Sequence, residues 1–211
     1  MNNSAVMRWG SPLETAKGAM VLLHGRGGSA ADMRNLARRF ESPEIAFIAP
    51  EAPGNSWYPF PFMSPLEKNE PYLTQSLNRV RALLSELKDG GLEPSQVCLL
   101  GFSQGACLAL EFVARHRDYC STVIGLSGGL IGPPGTPRYP GESLTGITVF
   151  LGCGDQDSHI PVERVDETAG FFQTAGASVE KRIYSGMGHI INSDEIERIR
   201  QIIARLAPLE A

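Results

Sequence analysis

The sequence lacks any apolar run long enough to cross a bilayer. Its longest stretch without a charge, Tyr119 to Pro137, is interrupted by Gly125, Gly128, Gly129, Gly132, Pro133, Pro134 and Gly135. It therefore cannot supply the roughly 20 continuous apolar helical residues that a span requires. The opening MNNSAVMRWGSPLETAKG has no basic start followed by an apolar core and a small-residue cleavage site, so no secretory signal is read and a cytoplasmic address is expected. Basic charge is not in surplus. Nineteen Lys and Arg stand against 23 Asp and Glu, a net −4, which offers neither nucleic acid nor an anionic membrane an electrostatic handle. Cysteine is scarce, and Cys98, Cys107, Cys120 and Cys153 lie in apolar segments without a CxxC pair or Cys/His ligand spacing. Reduced, buried thiols are expected, and neither a disulfide framework nor a metal site. The glycines form no GxGxxG and no glycine-rich loop ending in Lys-Ser or Lys-Thr, so nucleotide phosphates have no recognisable cradle.

What is present is an ordinary globular composition, 42% hydrophobic and 20% charged over 211 residues, enough to bury the core of one domain spanning 1–211. Short β-rich runs alternate with longer helical patterns. Strands are expected at Ala19 to His24, Ile45 to Ala49, Gln96 to Gly101, Ser121 to Leu126, Ile147 to Gly152 and Ser178 to Tyr184. Most are continuously apolar, as in a parallel sheet covered on both faces. Helices are expected at Ala30 to Phe40, Tyr72 to Lys88, Ser103 to Arg115, Pro161 to Thr174 and Ser193 to Leu206, where for example Ile196, Ile199, Ile202, Ile203 and Leu206 recur at three- and four-residue steps. The alternation predicts an α/β fold with a mostly parallel twisted sheet and helices on both faces. The charges Asp194, Glu195, Glu197, Arg198, Arg200 and Arg205 of the last helix read as a solvated face, with homodimer contact as the alternative.

Two segments break the alternation. Pro50 to Leu66 holds five prolines and four aromatics, which excludes a helix or central strand. Gly128 to Gly146 is a second Gly/Pro-rich excursion. Both are expected at the rim of the sheet, where ligands bind in such folds.

The sharpest local signal is Gly101-Phe102-Ser103-Gln104-Gly105, directly after an apolar strand and directly before a helix. A serine at such a turn is held in a strained backbone conformation with its hydroxyl projecting from the sheet edge, and small residues two positions either side let strand and helix approach. The Gln104 amide at the helix start can face developing negative charge. Read blandly, Ser103 is only a helix N-cap.

A serine hydroxyl becomes a useful nucleophile only when a base takes its proton and a third group orients that base. Of four histidines, His189 in Ser185-Gly186-Met187-Gly188-His189 lies between the last strand and the last helix, where a ring can reach back over the sheet edge. His116 reads as a helix C-terminal dipole partner, and His24 as a brace for the glycine turn after it. His159 sits too close to the acid candidates for one loop to supply both partners easily. Asp155 and Asp157, after the strand ITVFLG, are both admissible orienters by position. Either gives the chain order Ser, Asp, His of α/β-hydrolases. The turn His24-Gly25-Arg26-Gly27-Gly28 can supply a second backbone donor opposite Gln104.

The segments VLLHGRGG, LGFSQGA, GCGDQDSHIP and GMGH, in that order and spacing, resemble the α/β-hydrolase family of bacterial carboxylesterases and phospholipases that includes the acyl-protein thioesterases. The resemblance runs from about Ala19 to the C-terminus. It implies Ser103 as nucleophile, Asp157 as orienter, His189 as base, and oxyanion amides from Arg26 and Gln104. The run Leu126-Ser127-Gly128-Gly129-Leu130 lacks a tryptophan that lines the acyl channel in acyl-protein thioesterases, and HGRGG with a following WYPF loop resembles the small-ester branch. The expectation is a serine carboxylesterase for small to medium acyl chains, without cofactor or metal and without a large cap domain. A thioesterase or lysophospholipase for long chains is the alternative, followed by a non-catalytic ligand receptor on the same fold. Trp57, Tyr58, Phe60 and Phe62 are expected to line the substrate pocket, or else to close the core beneath a proline-rich loop.

Overall fold

The computed structural model describes residues 5–138 and 143–207. Its centre is a seven-stranded sheet. The strands are β1 (Val6–Gly10), β2 (Gly18–Leu23), β3 (Ile45–Pro50), β4 (Val97–Phe102), β5 (Thr122–Leu126), β6 (Thr148–Gly154) and β7 (Ser178–Tyr184). Their spatial order is β1-β3-β2-β4-β5-β6-β7, antiparallel between β1 and β3 and parallel elsewhere. The helices are α1 (Ala30–Ala37), α2 (Leu66–Asn69), α3 (Tyr72–Asp89), α4 (Gln104–Arg115), α5 (Val162–Thr174) and α6 (Ser193–Leu206).

Side chains of a strand alternate between faces, so a strand buried on both sides must be apolar throughout. In β2, Ala19, Val21 and Leu23 join the layer under α3, α4 and α5, while Met20 and Leu22 join the layer under α1 and α6. All six β2 residues are buried. This is the expected α/β architecture, and no separate cap domain is present among the described residues. The six expected strands and five long helices are all found, with ends displaced by a few residues. The expected outline lacked β1, a half-exposed strand whose run Val6–Gly10 carries an arginine and no apolar continuity; it is held by pairing to β3.

Two further expectations are corrected. The solvated face read on α6 is not wholly solvated: Glu195 is fully buried and Arg198 nearly so, the latter donating from Nε to Glu180 Oε2 at 2.7 Å. The second excursion is not simply a rim loop, because Leu130 and Ile131 are buried. The buried Glu111 on α4 ties it down, accepting the Ile131 amide at 3.1 Å and Arg138 Nη2 at 2.8 Å. A buried carboxylate is tolerable only with such partners. Residues 139–142 of that excursion lie outside the described residues. All four cysteines are buried and unpaired. Among the described residues no helix is long and apolar enough to cross a membrane.

Candidate active site

The turn from β4 into α4 places Ser103. Its φ of 54° and ψ of −121° lie where a side chain is strained, and the conformation is imposed from both sides. The Ser103 amide donates to Leu126 O on β5 at 2.9 Å, and its carbonyl accepts from Cys107 in α4 at 3.0 Å. The two flanking glycines are steric necessities. A Cβ at Gly101 would sit 2.2 Å from Gly105 O, and one at Gly105 would sit 2.1 Å from Leu23 O.

From this elbow the Ser103 hydroxyl meets the His189 ring, Oγ to Nε2 at 2.9 Å, and the other ring nitrogen, Nδ1, lies 2.7 Å from Asp157 Oδ2. An ionised carboxylate only accepts, so the ring proton belongs on Nδ1 and Nε2 is left to accept from the serine. Asp157 is fixed in turn, since its Oδ1 accepts the amides of His159 and Ile160 at 2.8 and 3.0 Å. Burial pushes this carboxyl upward, but the bonds from His189, His159 and Ile160 outweigh it and hold it below the usual aspartate range. The two acids that spacing left open differ in their contacts. Asp157 touches His189, whereas Asp155 is exposed and accepts the Gly186 amide at 2.7 Å, bracing the loop that carries the histidine. Phe102 and His159 flank the His189 ring, at centroid distances of 5.0 and 4.8 Å.

The glycine turn after β2 faces this elbow. His24 braces it, donating from Nδ1 to Gly25 O at 2.7 Å and accepting the Ala52 amide on Nε2 at 3.0 Å. The amides of Gly27 and Gly28 are taken by Asn55 O and Gly25 O. The Arg26 amide has no hydrogen-bond partner among the described residues, and the Gln104 amide opens α4 with no helical carbonyl behind it. Arg26, Gln104, Ser103 and His189 all border one cavity of about 630 Å³. A donor pair of this kind can stabilise negative charge forming on a carbonyl attacked by Ser103. Burial pushes the Cys107 thiol up to about 12, which leaves it an unreactive wall residue. No three His, Cys, Asp or Glu side chains among the described residues converge as a metal set.

The expected aromatic lining is half corrected. Tyr58 and Phe62 border the cavity, with Pro59, Pro61, Met63 and Ile160, but Trp57 and Phe60 do not. The Trp57 indole is buried over His24 at 4.9 Å and donates to His24 O at 2.8 Å, so it packs beneath the loop. Phe60 turns to solvent, 47% exposed. What the sequence reading missed is how this loop is held: Asn55, Ser56 and Asn69 and the side chains of Arg26 and Gln104 all bond to it or from it. The proline density was the available signal, since prolines leave carbonyls without neighbouring N–H donors.

A model of the phospholipase/carboxylesterase family matches residues 5–207. The chain belongs to the phospholipase/carboxylesterase family. A crystal structure of a phospholipase/carboxylesterase from Dyadobacter fermentans superposes with a TM-score of 0.88 at 37% identity, covering 95% of this chain and 96% of that one. Acyl-protein thioesterase 1 of Saccharomyces cerevisiae is 26% identical over 220 residues, 94% of this chain and 97% of its own length. A probable carboxylesterase SOBER1-like of Arabidopsis thaliana is 26% identical over 200 residues, 86% of this chain and 76% of its own. As a member of the phospholipase/carboxylesterase family the chain is a serine hydrolase acting on ester bonds.

Proposed function

We propose that this family member cleaves carboxylic esters of small to medium acyl chains by two-step acyl transfer, with Ser103 as nucleophile. His189 accepts the hydroxyl proton as Oγ attacks the ester carbonyl, and the Arg26 and Gln104 amides hold the oxyanion. Collapse of the tetrahedral intermediate expels the alcohol, which takes the proton from His189. Water then attacks the acyl-enzyme, giving its proton to the same ring, and the acid leaves as Ser103 recovers its hydrogen. Asp157 keeps the ring proton on Nδ1 and balances the imidazolium that forms. The observation that carries this reading is the continuous relay of 2.9 and 2.7 Å from a strained serine to a buried carboxylate. Small to medium chains are favoured because one side of the cavity is lined by Tyr58, Phe62 and two prolines of a well-anchored loop. Four buried, unpaired thiols suit a reducing compartment, and we place the enzyme in the cytoplasm.

The second reading, a thioesterase acting on long acyl chains, is favoured by the names of relatives such as the yeast protein. A panel of p-nitrophenyl esters from acetate to dodecanoate, run beside the matching thioesters and with Ser103→Ala as control, separates the two. The proposal expects the highest kcat/KM among the short and medium esters. A preference of about tenfold or more for dodecanoyl thioester would replace it with the second reading.

A further inference from the structure

Arg26 does more in this structure than present a main-chain amide. Its guanidinium donates from Nη1 to Ser56 Oγ at 3.0 Å and to Pro59 O at 2.9 Å, and from Nη2 to Tyr58 O and Phe60 O, both at 2.9 Å. Three successive carbonyls of one loop thus point at a single cation. Carbonyl dipoles so aligned repel one another, and Pro59 and Pro61 deny the loop N–H groups of its own to relieve them. The planar fork of an arginine, with its fixed set of donors, suits such a cluster where a lysine ammonium would not.

A second side chain grips the same loop from the other wall. Gln104 Oε1 accepts the Trp57 amide at 3.0 Å, and its Nε2 donates to Tyr58 O at 2.7 Å. Tyr58 O therefore accepts from Ser56 Oγ within the loop and from both Arg26 and Gln104, the two residues whose amides border the serine. The loop they hold contributes Tyr58, Pro59, Pro61, Phe62 and Met63 to the cavity. The wall of the cavity and the donor pair are built as one hydrogen-bonded piece.

We propose that the Arg26 side chain is a positioning residue that sets acyl-chain selectivity, by clamping the 56–60 loop to the turn that supplies the oxyanion donor. The inference rests on the acyl-enzyme reading above and adds to it the element that fixes the pocket wall. With the clamp in place the wall cannot retreat to admit a longer chain. Without it the Pro59 and Phe60 carbonyls turn toward water while Tyr58 O keeps only Gln104 and Ser56, the loop loosens beyond Tyr58, and the distance from the reacting carbonyl to the wall is no longer fixed.

The test is the ratio of kcat/KM for p-nitrophenyl dodecanoate to that for the butanoate, in wild type and in Arg26→Ala, which keeps the main-chain amide. The ratio is expected to rise about tenfold or more, and added guanidinium ion, at concentrations far below denaturing, to return it toward the wild-type value by refilling the vacated site. A merely structural contribution would lower both substrates together and show no such rescue. Labelling of Ser103 by a fluorophosphonate is measured on the same samples. A labelled variant with a ratio within about twofold of wild type overturns the clamp. Failure of the wild-type protein to be labelled instead overturns the acyl-enzyme reading. Should Arg26→Ala not fold, Ser56→Ala removes one acceptor of the guanidinium together with the hydroxyl's own bond to Tyr58 O, and a smaller rise in the same ratio is expected. No rise there overturns the clamp as well.

Discussion

Glu195 on α6 offers a prediction whose size can be worked from the fold. Its carboxyl is fully buried, with Oε2 accepting the Asn192 amide at 2.8 Å and Oε1 finding no partner among the described residues. Burial, opposed in part by that hydrogen bond and aided by neighbouring Asp194, raises it from 4.5 to about 7. An acid that holds its proton more tightly when folded loses folding free energy as pH rises. Below the unfolded value both states are protonated and there is no penalty. Above the folded value the penalty is complete. At about 1.4 kcal/mol per unit the shift corresponds to roughly 3 kcal/mol, taken in full because the group is shielded from water. Glu195→Gln mimics the protonated side chain at every pH. Urea unfolding of both proteins from pH 4.5 to 8 gives a difference curve from which the other carboxylates cancel. The variant should match wild type at the acid end and exceed it by about 3 kcal/mol at pH 8. A difference independent of pH would refute the assignment. Asn192, which Glu195 caps reciprocally, also reaches Met187 Sδ at 3.2 Å in the loop that carries His189.

Three other outcomes follow from single contacts. Asp157→Asn should lower kcat by about 10⁴-fold: the His159 and Ile160 amides keep the side-chain oxygen at the Oδ1 position, so the new NH₂ faces Nδ1 and forces the ring proton onto Nε2. A loss below about tenfold in a p-nitrophenyl butanoate assay would show that the tautomer is not set this way. Gly105→Ala places a Cβ 2.1 Å from Leu23 O and must push the elbow away from the oxyanion turn; a kcat loss of about 100-fold is expected for a displacement near an ångström, and wild-type turnover would contradict the close approach. Trp57→Ala should cost about 3 to 5 kcal/mol, read as a melting temperature lower by roughly 10 °C, because the indole packs under the loop and is bonded to His24 O. An altered chain-length preference with unaltered stability would return Trp57 to the pocket.

The parts of the fold that could be read in advance are those where local chemistry and tertiary demand coincide. Continuous apolar runs in β2 to β6 are what a sheet covered on both faces requires, and the isoleucine period of α6 marks the one stripe that meets it. Ser103 was legible because a strained turn between strand and helix admits few sequences. The strand β1 was not, since an edge strand needs only one partner and little burial. Nor could spacing choose between Asp155 and Asp157, two residues apart on one loop, because the choice depends on where Gly186 and His189 return from β7. The aromatic loop was read as a unit, yet its members point in different directions: irregular backbone carries no periodicity from which facing can be inferred. The burial of Glu195 and Arg198 was hidden for a different reason, since charged residues on a helix are normally solvated; the glycine at 152 leaves room for the Glu195 carboxyl, and Glu180 on β7 partners Arg198.

The central claim is that Ser103 is the nucleophile and His189 its base. Incubation with a fluorophosphonate, followed by peptide mass mapping, tests it most directly when paired with turnover of p-nitrophenyl butanoate. The expected result is one adduct, on Ser103, absent in Ser103→Ala and strongly slowed in His189→Ala, with turnover by Ser103→Ala reduced roughly 10³-fold or more. An adduct on another residue, or comparable turnover by Ser103→Ala, would contradict it.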